Sequence, residues 1–522
     1  MVSGSGARYS SESGLTSGHG LQWRRRAVSR SLTGTRTMRR FLKRLVVLLL
    51  VGALTLLAVR VYDSQRGPPL ALWHTYVPTE MGAAEIDAAD WRQYLAAEDA
   101  VFADVRTNVT EKLDADDRIQ GNRYFEGSAN YAPRFAHDWN RSYVLEPVGP
   151  PVGAAVLLHG LTDSPYSQRH VAELYRARGF VAVVIRLPAH GTVPAALSAA
   201  RRDDWMAATR LAVREARRLG GASVPLHLVG YSNGGALALK YALDALDDPH
   251  LARPDRVVLI SPMIGVTRFA RFAGLAAIPA LFPAFAKAAW LGIVPEFNPF
   301  KYNSFPVNAA TQSHRLTDGL QQQMLRAAHG GQLAHLAPVL TFQSVVDFTV
   351  STQAIISVFY DQLPSNGSEL VLFDINRSSR FSPLLRDSAE ALAERLLSPP
   401  PRRYQTTLVT NGGSDGGEEV ERLTQPGATI WQTRPLSLSY PTDVYSLSHI
   451  ALPFPMNDAL YGLQPDPGEN FGIALGNMAA RGENGTLIVN KNFLLRLSSN
   501  PFFPYMLERI DAWIGESGKL LE

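Results

Sequence analysis

Through the middle of the chain, short unbroken apolar runs alternate with segments of helical period. Ala154-Ala155-Val156-Leu157-Leu158, Val181-Ala182-Val183-Val184-Ile185, Leu226-His227-Leu228-Val229 and Val257-Val258-Leu259-Ile260 have almost no polar face. Runs of this kind predict strands buried on both sides. Between them, residues 168–178, 205–219 and 234–246 space their apolar positions as helices do. Strand and helix in strict alternation predict a parallel sheet covered on both faces, and right-handed crossovers make it doubly wound. The rhythm stops at 266–336, a stretch rich in Phe, Ala, Leu and Pro (Phe282-Pro283-Ala284-Phe285), which reads as an inserted, mostly helical cap. It resumes with a strand at 338–342, a helix near 352–363 and a strand at 369–373. A second insertion follows over 376–442. It contains Gly412-Gly413-Ser414-Asp415-Gly416-Gly417, a surface loop by composition. Residues 63–150 form an N-terminal extension with helical pattern around 83–113 and the first strands. Residues 443–522 form a closing core segment. There is no internal repeat.

The N-terminus differs from all of this. Residues 1–37 are Ser-, Gly- and Arg-rich and read as a disordered basic leader. Met38-Arg39-Arg40-Phe41-Leu42-Lys43-Arg44 then precedes an uncharged run from Leu45 to Val59, closed by Arg60. The flanking cations can snorkel, so 41–62 reads as a transmembrane signal anchor. No small-x-small cleavage site precedes Gln65, which favours an anchor over a cleaved signal. The basic flank stays in the cytoplasm and the remainder is exported.

Charge and composition sharpen this. Residues 1–62 carry a net charge of +10 and the rest −6, so the overall +4 belongs to the leader and gives no argument for nucleic-acid binding. The 522 residues, 46% hydrophobic and 19% charged, suffice for a large core and exclude a wholly disordered chain. With no cysteine, disulfides, zinc–thiolate sites and cysteine nucleophiles are excluded. The Arg-over-Lys bias looks bacterial. The expected location is therefore the inner membrane, single-pass, with the exported domain on the periplasmic side.

The strongest chemical signal is Gly230-Tyr231-Ser232-Asn233-Gly234-Gly235, between an expected strand and an expected helix. That is the context of a nucleophile elbow, which makes Ser232 the candidate nucleophile and the Asn233 N–H one oxyanion donor. A second donor must come from the loop after an earlier strand, where His159-Gly160-Leu161 places the Leu161 N–H. His159 and Asp163 also match an H-x-x-x-D spacing known from acyl-transfer enzymes, but the strand–loop context reads His159 as a scaffold residue. The acid should follow the elbow after a later strand. Asp347 stands in Val345-Val346-Asp347-Phe348-Thr349-Val350, with Asp374 as the fallback. Of the 12 histidines only His449 follows Asp347, so order selects it as the base. His190, in Pro188-Ala189-His190-Gly191-Thr192, precedes the serine and reads as loop structure.

Leu157-Leu158-His159-Gly160, the Pro188–Thr192 segment, the elbow, Asp347 and His449 together resemble the α/β-hydrolase superfamily. The resemblance is to the group of monoacylglycerol lipases, bacterial carboxylesterases and serine aminopeptidases, and it covers about 150–265, 337–375 and 443–455. It implies an α/β-hydrolase fold, a doubly wound, mostly parallel sheet with an inserted helical cap, here preceded by a transmembrane helix. It also implies a Ser232–His449–Asp347 triad. In that family the histidine usually follows the last strand within a few residues. Here Asp374-Ile375-Asn376-Arg377 occupies that place, so the second insertion must loop out and return, with Tyr445 to Leu447 as the last strand or its extension. The expected activity is hydrolysis of a small-molecule ester or lipid, with no metal or organic cofactor. A peptidase or thioesterase on the same triad, or an inactive membrane-tethered binding protein, stay open as alternatives.

Overall fold

The computed structural model describes residues 20–265, 277–386, 391–413, 418–478, 487 and 489–518. The chain divides into two compact units, Met1–Asp63 and Ser64–Glu522. The first contains most of a single helix, Gly20–Gln65. Within it Met38–Gln65, 28 residues with a mean hydropathy of 2.5, is a candidate membrane span. At about 1.5 Å per residue this stretch exceeds the roughly 30 Å of a hydrocarbon core. The helix also takes in residues 20–37, which composition assigns to a disordered leader. An established helix propagates backwards without a new nucleation cost, and Gly34 is the only interior glycine in that extension. Residues 1–19 lie outside the described residues.

The second unit is built on a ten-stranded sheet. Its first five strands are β1 (Tyr143–Leu145), β2 (Gly153–Leu158), β3 (Phe180–Ile185), β4 (Leu226–Tyr231) and β5 (Arg256–Ile260). Cap strands β6 (Trp290–Gly292) and β7 (Phe305–Pro306) form a separate antiparallel pair. The main sheet continues with β8 (Val339–Ser344), β9 (Glu369–Phe373), β10 (Gln405–Asn411), β11 (Glu419–Thr424) and β12 (Gln432–Pro435). Its spatial order is β1-β3-β2-β4-β5-β8-β9-β10-β11-β12. Seven strands from β3 to β10 run parallel, and β1, β11 and β12 pair antiparallel at the edges.

Strand alternation explains the two covering layers. Ala154, Val156 and Leu158 of β2 share a core with the helices Arg202–Gly220 and Asn233–Asp247. Ala155 and Leu157 face the other way, into a core with Arg169–Ala177 and Phe503–Gly518. A strand whose residues all pack, half on each side, needs the unbroken apolar run seen in the sequence.

Three expectations change. The cap is less helical than its composition suggests. Pro279 and Pro283 hold Ile278–Leu281 and Pro283–Ala289 to short 3-10 turns, and one long helix, Val307–His329, follows the β6–β7 pair. Residues 266–276 lie outside the described residues. Next, the region near 352–363 is a set of short turns, Thr352–Ala354, Ile355–Phe359 and Tyr360–Gln362. Finally, the second insertion does not simply loop out. It adds β10, β11 and β12, and β10 takes the open edge of β9. Tyr445 to Leu447 therefore has no edge to pair with and forms no strand. Residues 414–417 of its glycine-rich loop lie outside the described residues.

Two buried charge clusters fasten the flanks to the sheet. The Arg186 guanidinium, 1% exposed, reaches Glu80 at 2.9 Å and Glu98 at 3.0 Å, which ties the N-terminal extension to the end of β3. Asp458 accepts from Tyr166 Oη at 2.8 Å and pairs with Arg169 at 3.0 Å and His170 at 2.9 Å. Burial pushes its carboxyl up. The His170 hydrogen bond and the Arg169 charge outweigh that and pull it down to about 2. Since the folded value lies below that of an unfolded Asp, the cluster stabilises above about pH 4, and this contribution is lost as pH falls towards 2. Asp458→Asn is expected to lower stability at pH 7 by about 1–3 kcal/mol, because buried Arg169 then keeps only the half-exposed Glu469, at 2.7 Å, as its counter-ion. In thermal melts the gap to the native chain narrows below pH 4; a gap independent of pH would contradict the assignment.

Candidate active site

The turn after β4 is set by what its backbone excludes. A Cβ at Gly230 would lie 2.3 Å from the Gly234 carbonyl oxygen, and one at Gly234 would lie 2.1 Å from that of Leu158. Strand, turn and helix thus meet at backbone distance, and only glycine fits. Ser232 takes the strain, at φ 54° and ψ −113°. Its N–H donates to Ile260 O at 3.0 Å, and its carbonyl accepts from Met263 N at 2.9 Å. These bonds fix the side chain at the carboxyl end of the sheet, where open α/β sheets carry their sites.

The chain then brings the distant residues in. His449 Nε2 lies 2.9 Å from Ser232 Oγ, and His449 Nδ1 lies 2.8 Å from Asp347 Oδ2. The three residues selected from the sequence thus form one hydrogen-bonded line. Ser232 is 6% exposed and His449 5%. Asp347 Oδ1 accepts the N–H groups of Thr349 at 2.7 Å and Val350 at 2.9 Å, and Gln343 Nε2 donates to Oδ2 at 3.2 Å. Burial pushes the Asp347 carboxyl up, but the His449 ring and the backbone donors prevail and hold it below its ordinary value. It is therefore an anion able to fix the imidazole with Nδ1 protonated, leaving Nε2 to accept from the serine.

The return of the chain after the second insertion is pinned at several points. The Asn376 N–H donates to Tyr445 O at 2.8 Å, and its side chain to Val444 O at 2.8 Å. Ser344 Oγ at the end of β8 donates to Leu447 O at 2.9 Å, and Tyr231 Oη to the carbonyl of His449 itself at 3.2 Å. Residue 449 thus arrives beside the end of β9 without a strand to carry it. Sequence reasoning does not find Gln343, Ser344 or Asn376. Polar residues closing or following an apolar strand are their only mark.

Leu161 follows the end of β2, and Thr162 beside it has a φ of 62°. No backbone carbonyl among the described residues accepts the Leu161 N–H. Asn233 is the first residue of its helix, so its N–H has no intrahelical acceptor. These are the two donors a developing oxyanion would need.

The other sequence candidates are engaged elsewhere. Asp374 is bound by Arg377 at 2.7 Å and Thr410 Oγ1 at 2.9 Å. His159 accepts the Leu187 N–H at 3.0 Å on Nε2 and donates from Nδ1 to Gly160 O at 2.9 Å. Burial and the neighbouring His190 keep it well below its ordinary value, hence neutral. His190 donates to Pro188 O at 3.0 Å, and burial lowers it to about 4. Both rings brace the loops after β2 and β3.

A model of the alpha/beta hydrolase family matches residues 155–415, half of the chain. Among solved structures, the chain is similar to one of the metagenome-derived lipolytic enzymes LipS and LipT, at 22% identity over 49% of this chain and 96% of that one, with a TM-score of 0.36. It is also similar to monoacylglycerol lipase from Paleococcus ferrophilus, at 18% identity over 44% and 87% with a TM-score of 0.34. For Est1E from Butyrivibrio proteoclasticus, bound to ferulic acid, the values are 16% over 44% and 84%, with a TM-score of 0.33. No curated protein matches the chain.

The backbone contact at the turn is open to test. Gly234→Ala must part the helix from β2 or shift the turn, and is expected to cost about 1–3 kcal/mol, read as a drop in Tm of several degrees. Gly331→Ala puts a Cβ into open space and is strained only by its φ of 71°. It should cost less. Equal losses would show that the close approach does not matter.

Proposed function

Because this chain belongs to the alpha/beta hydrolase family, we propose that it is a membrane-anchored serine hydrolase cleaving carboxylic esters, as a carboxylesterase or lipase does. The observation that carries this reading is the unbroken line from Asp347 through His449 to Ser232, at 2.8 and 2.9 Å. A hydroxyl whose hydrogen-bond partner is an imidazole, itself held by a buried carboxylate, is an activated nucleophile.

In the proposed reaction the Ser232 Oγ–C bond forms as Oγ attacks the ester carbonyl, and His449 Nε2 takes the hydroxyl proton. Asp347 stabilises the resulting imidazolium without being protonated. The Leu161 and Asn233 N–H groups receive the carbonyl oxygen as it gains charge. Collapse breaks the ester C–O bond, and His449 passes its proton to the leaving alcohol. Water, deprotonated by the same imidazole, then cleaves the acyl-enzyme.

The apolar stretch of Met38–Gln65 supports the anchor, and the cations ahead of it favour a cytoplasmic N-terminus. On this reading the enzyme faces the extracytoplasmic side. In cell fractionation the full-length chain stays with the membranes after a high-salt wash, and protease added to spheroplasts degrades the catalytic unit. Release of a shortened soluble form would mean that the leader is cleaved.

Ser232→Ala should abolish labelling by a fluorophosphonate probe and lower hydrolysis of 4-nitrophenyl esters on the order of 10³-fold or more. His449→Ala should cost nearly as much, because the two residues act as a unit, whereas His190→Ala should cost less and act through its loop. A folded Ser232→Ala chain that keeps its activity would overturn the nucleophile. A His190 variant worse than the His449 variant would overturn the base.

A further inference from the structure

Two cations, Lys301 and Arg496, stand on loops bonded to those that surround the Ser232–His449 pair, and among the described residues neither forms an ion pair. Lys301 lies on the oxyanion side. The N–H of the next residue, Tyr302, donates to Thr162 O at 2.7 Å, one residue beyond Leu161. Arg496 lies on the side of the acid and base. Its carbonyl accepts Ser448 Oγ at 2.8 Å, directly before His449. Its guanidinium donates to Thr349 Oγ1 at 2.6 Å, and the Thr349 N–H is in turn bound to Asp347. The two loops touch through Phe297 and Phe493, whose ring centroids are 6.0 Å apart. Both cationic side chains are half-buried.

The two charges feel each other. Burial holds the Lys301 ammonium below its ordinary value; the Asp163 carboxylate pulls it back up and Arg496 pushes it down. Asp163 does not neutralise Lys301 by contact. Its Oδ2 takes the Gly160 N–H at 3.3 Å, and burial raises its own carboxyl. Keeping two like charges partly desolvated without a contacting counter-ion is unfavourable in the free protein. The same arrangement becomes favourable once an anion enters. Phe348 and Leu495, 89% and 70% exposed, precede Thr349 and Arg496 in the chain.

We propose that Lys301 and Arg496 together bind an anionic oxyacid group, carboxylate or phosphate, carried by the ester substrate close to its scissile bond. The natural substrates are then amphiphilic anionic esters rather than neutral ones. This rests on the reading of Ser232 as the nucleophile and adds the substrate class.

The test compares kcat/KM of the full-length chain in neutral detergent on two matched pairs. Mono-4-nitrophenyl suberate against 4-nitrophenyl octanoate places the charge on the acyl side. Octanoyl glycerol 3-phosphate against monooctanoylglycerol places it on the alcohol side. In at least one pair the anionic ester is expected to be preferred, on the order of tenfold or more. That preference should fall with added salt, collapse in Lys301→Met and in Arg496→Met, and survive in Lys301→Arg and Arg496→Lys. The two Met variants sit on different loops, so misfolding of one leaves the other informative. Fluorophosphonate labelling of each variant separates lost selectivity from a lost active site. No anionic preference in either pair, or a preference retained by either Met variant that still labels, overturns the proposal. A native chain that neither labels nor hydrolyses any of the four esters overturns the hydrolase reading itself.

Discussion

Two backbones touching without an intervening side chain decide the geometry around Ser232. The helix after β4 approaches β2 so closely that Gly234 lies against the Leu158 carbonyl. That approach aims the start of the helix at the loop carrying Leu161, and it forces the residue between strand and helix into a left-handed conformation. A strained serine, the first N–H of the helix and the N–H of Leu161 thus stand close together. Met263, Ile260 and the first turn of the helix hold the strained residue through its own backbone, so the strain is borne by the sheet rather than by the loop.

Much of this could be read in advance, and the reason is local. β2, β3, β4, β5, β8 and β9 are built around short apolar runs because both of their faces are buried, and that pattern survives without knowledge of the fold. The glycines of the elbow mark the turn, and chain order alone singles out His449. The rest was hidden for equally physical reasons. Gln405–Asn411 and Glu419–Thr424 mix polar and apolar residues, so their pairing with β9 and with each other is decided by the neighbouring edge rather than by their own pattern. Tyr445 to Leu447 looks strand-like in isolation, yet β10 already fills the edge it would need. The cap prolines were legible as residues but not as the short turns they impose.

The buried ionic clusters were the least legible features. Arg186 with Glu80 and Glu98, and Asp458 with Arg169 and His170, join residues far apart in sequence, and nothing near any of them announces a partner. They are where the apolar logic of the two layers ends. Each fastens a flanking segment onto the sheet through charges that are satisfied only in one arrangement, so the flanks gain a fixed position where a purely apolar contact would leave several nearly equivalent ones.

The staple at Asn376 has a consequence for how such a chain can change over generations. One residue holds the departure of the excursion to β12 by its own backbone and, through two hydrogen bonds, the point where the excursion ends. The loops between the strands of residues 377 to 443 can therefore lengthen or shorten while the arrival point of the histidine stays where it is, because loop length adds to closure entropy only logarithmically. The outermost strand, β12, exposed at every residue, is where a lineage can try new surfaces with the least disturbance to the rest of the sheet.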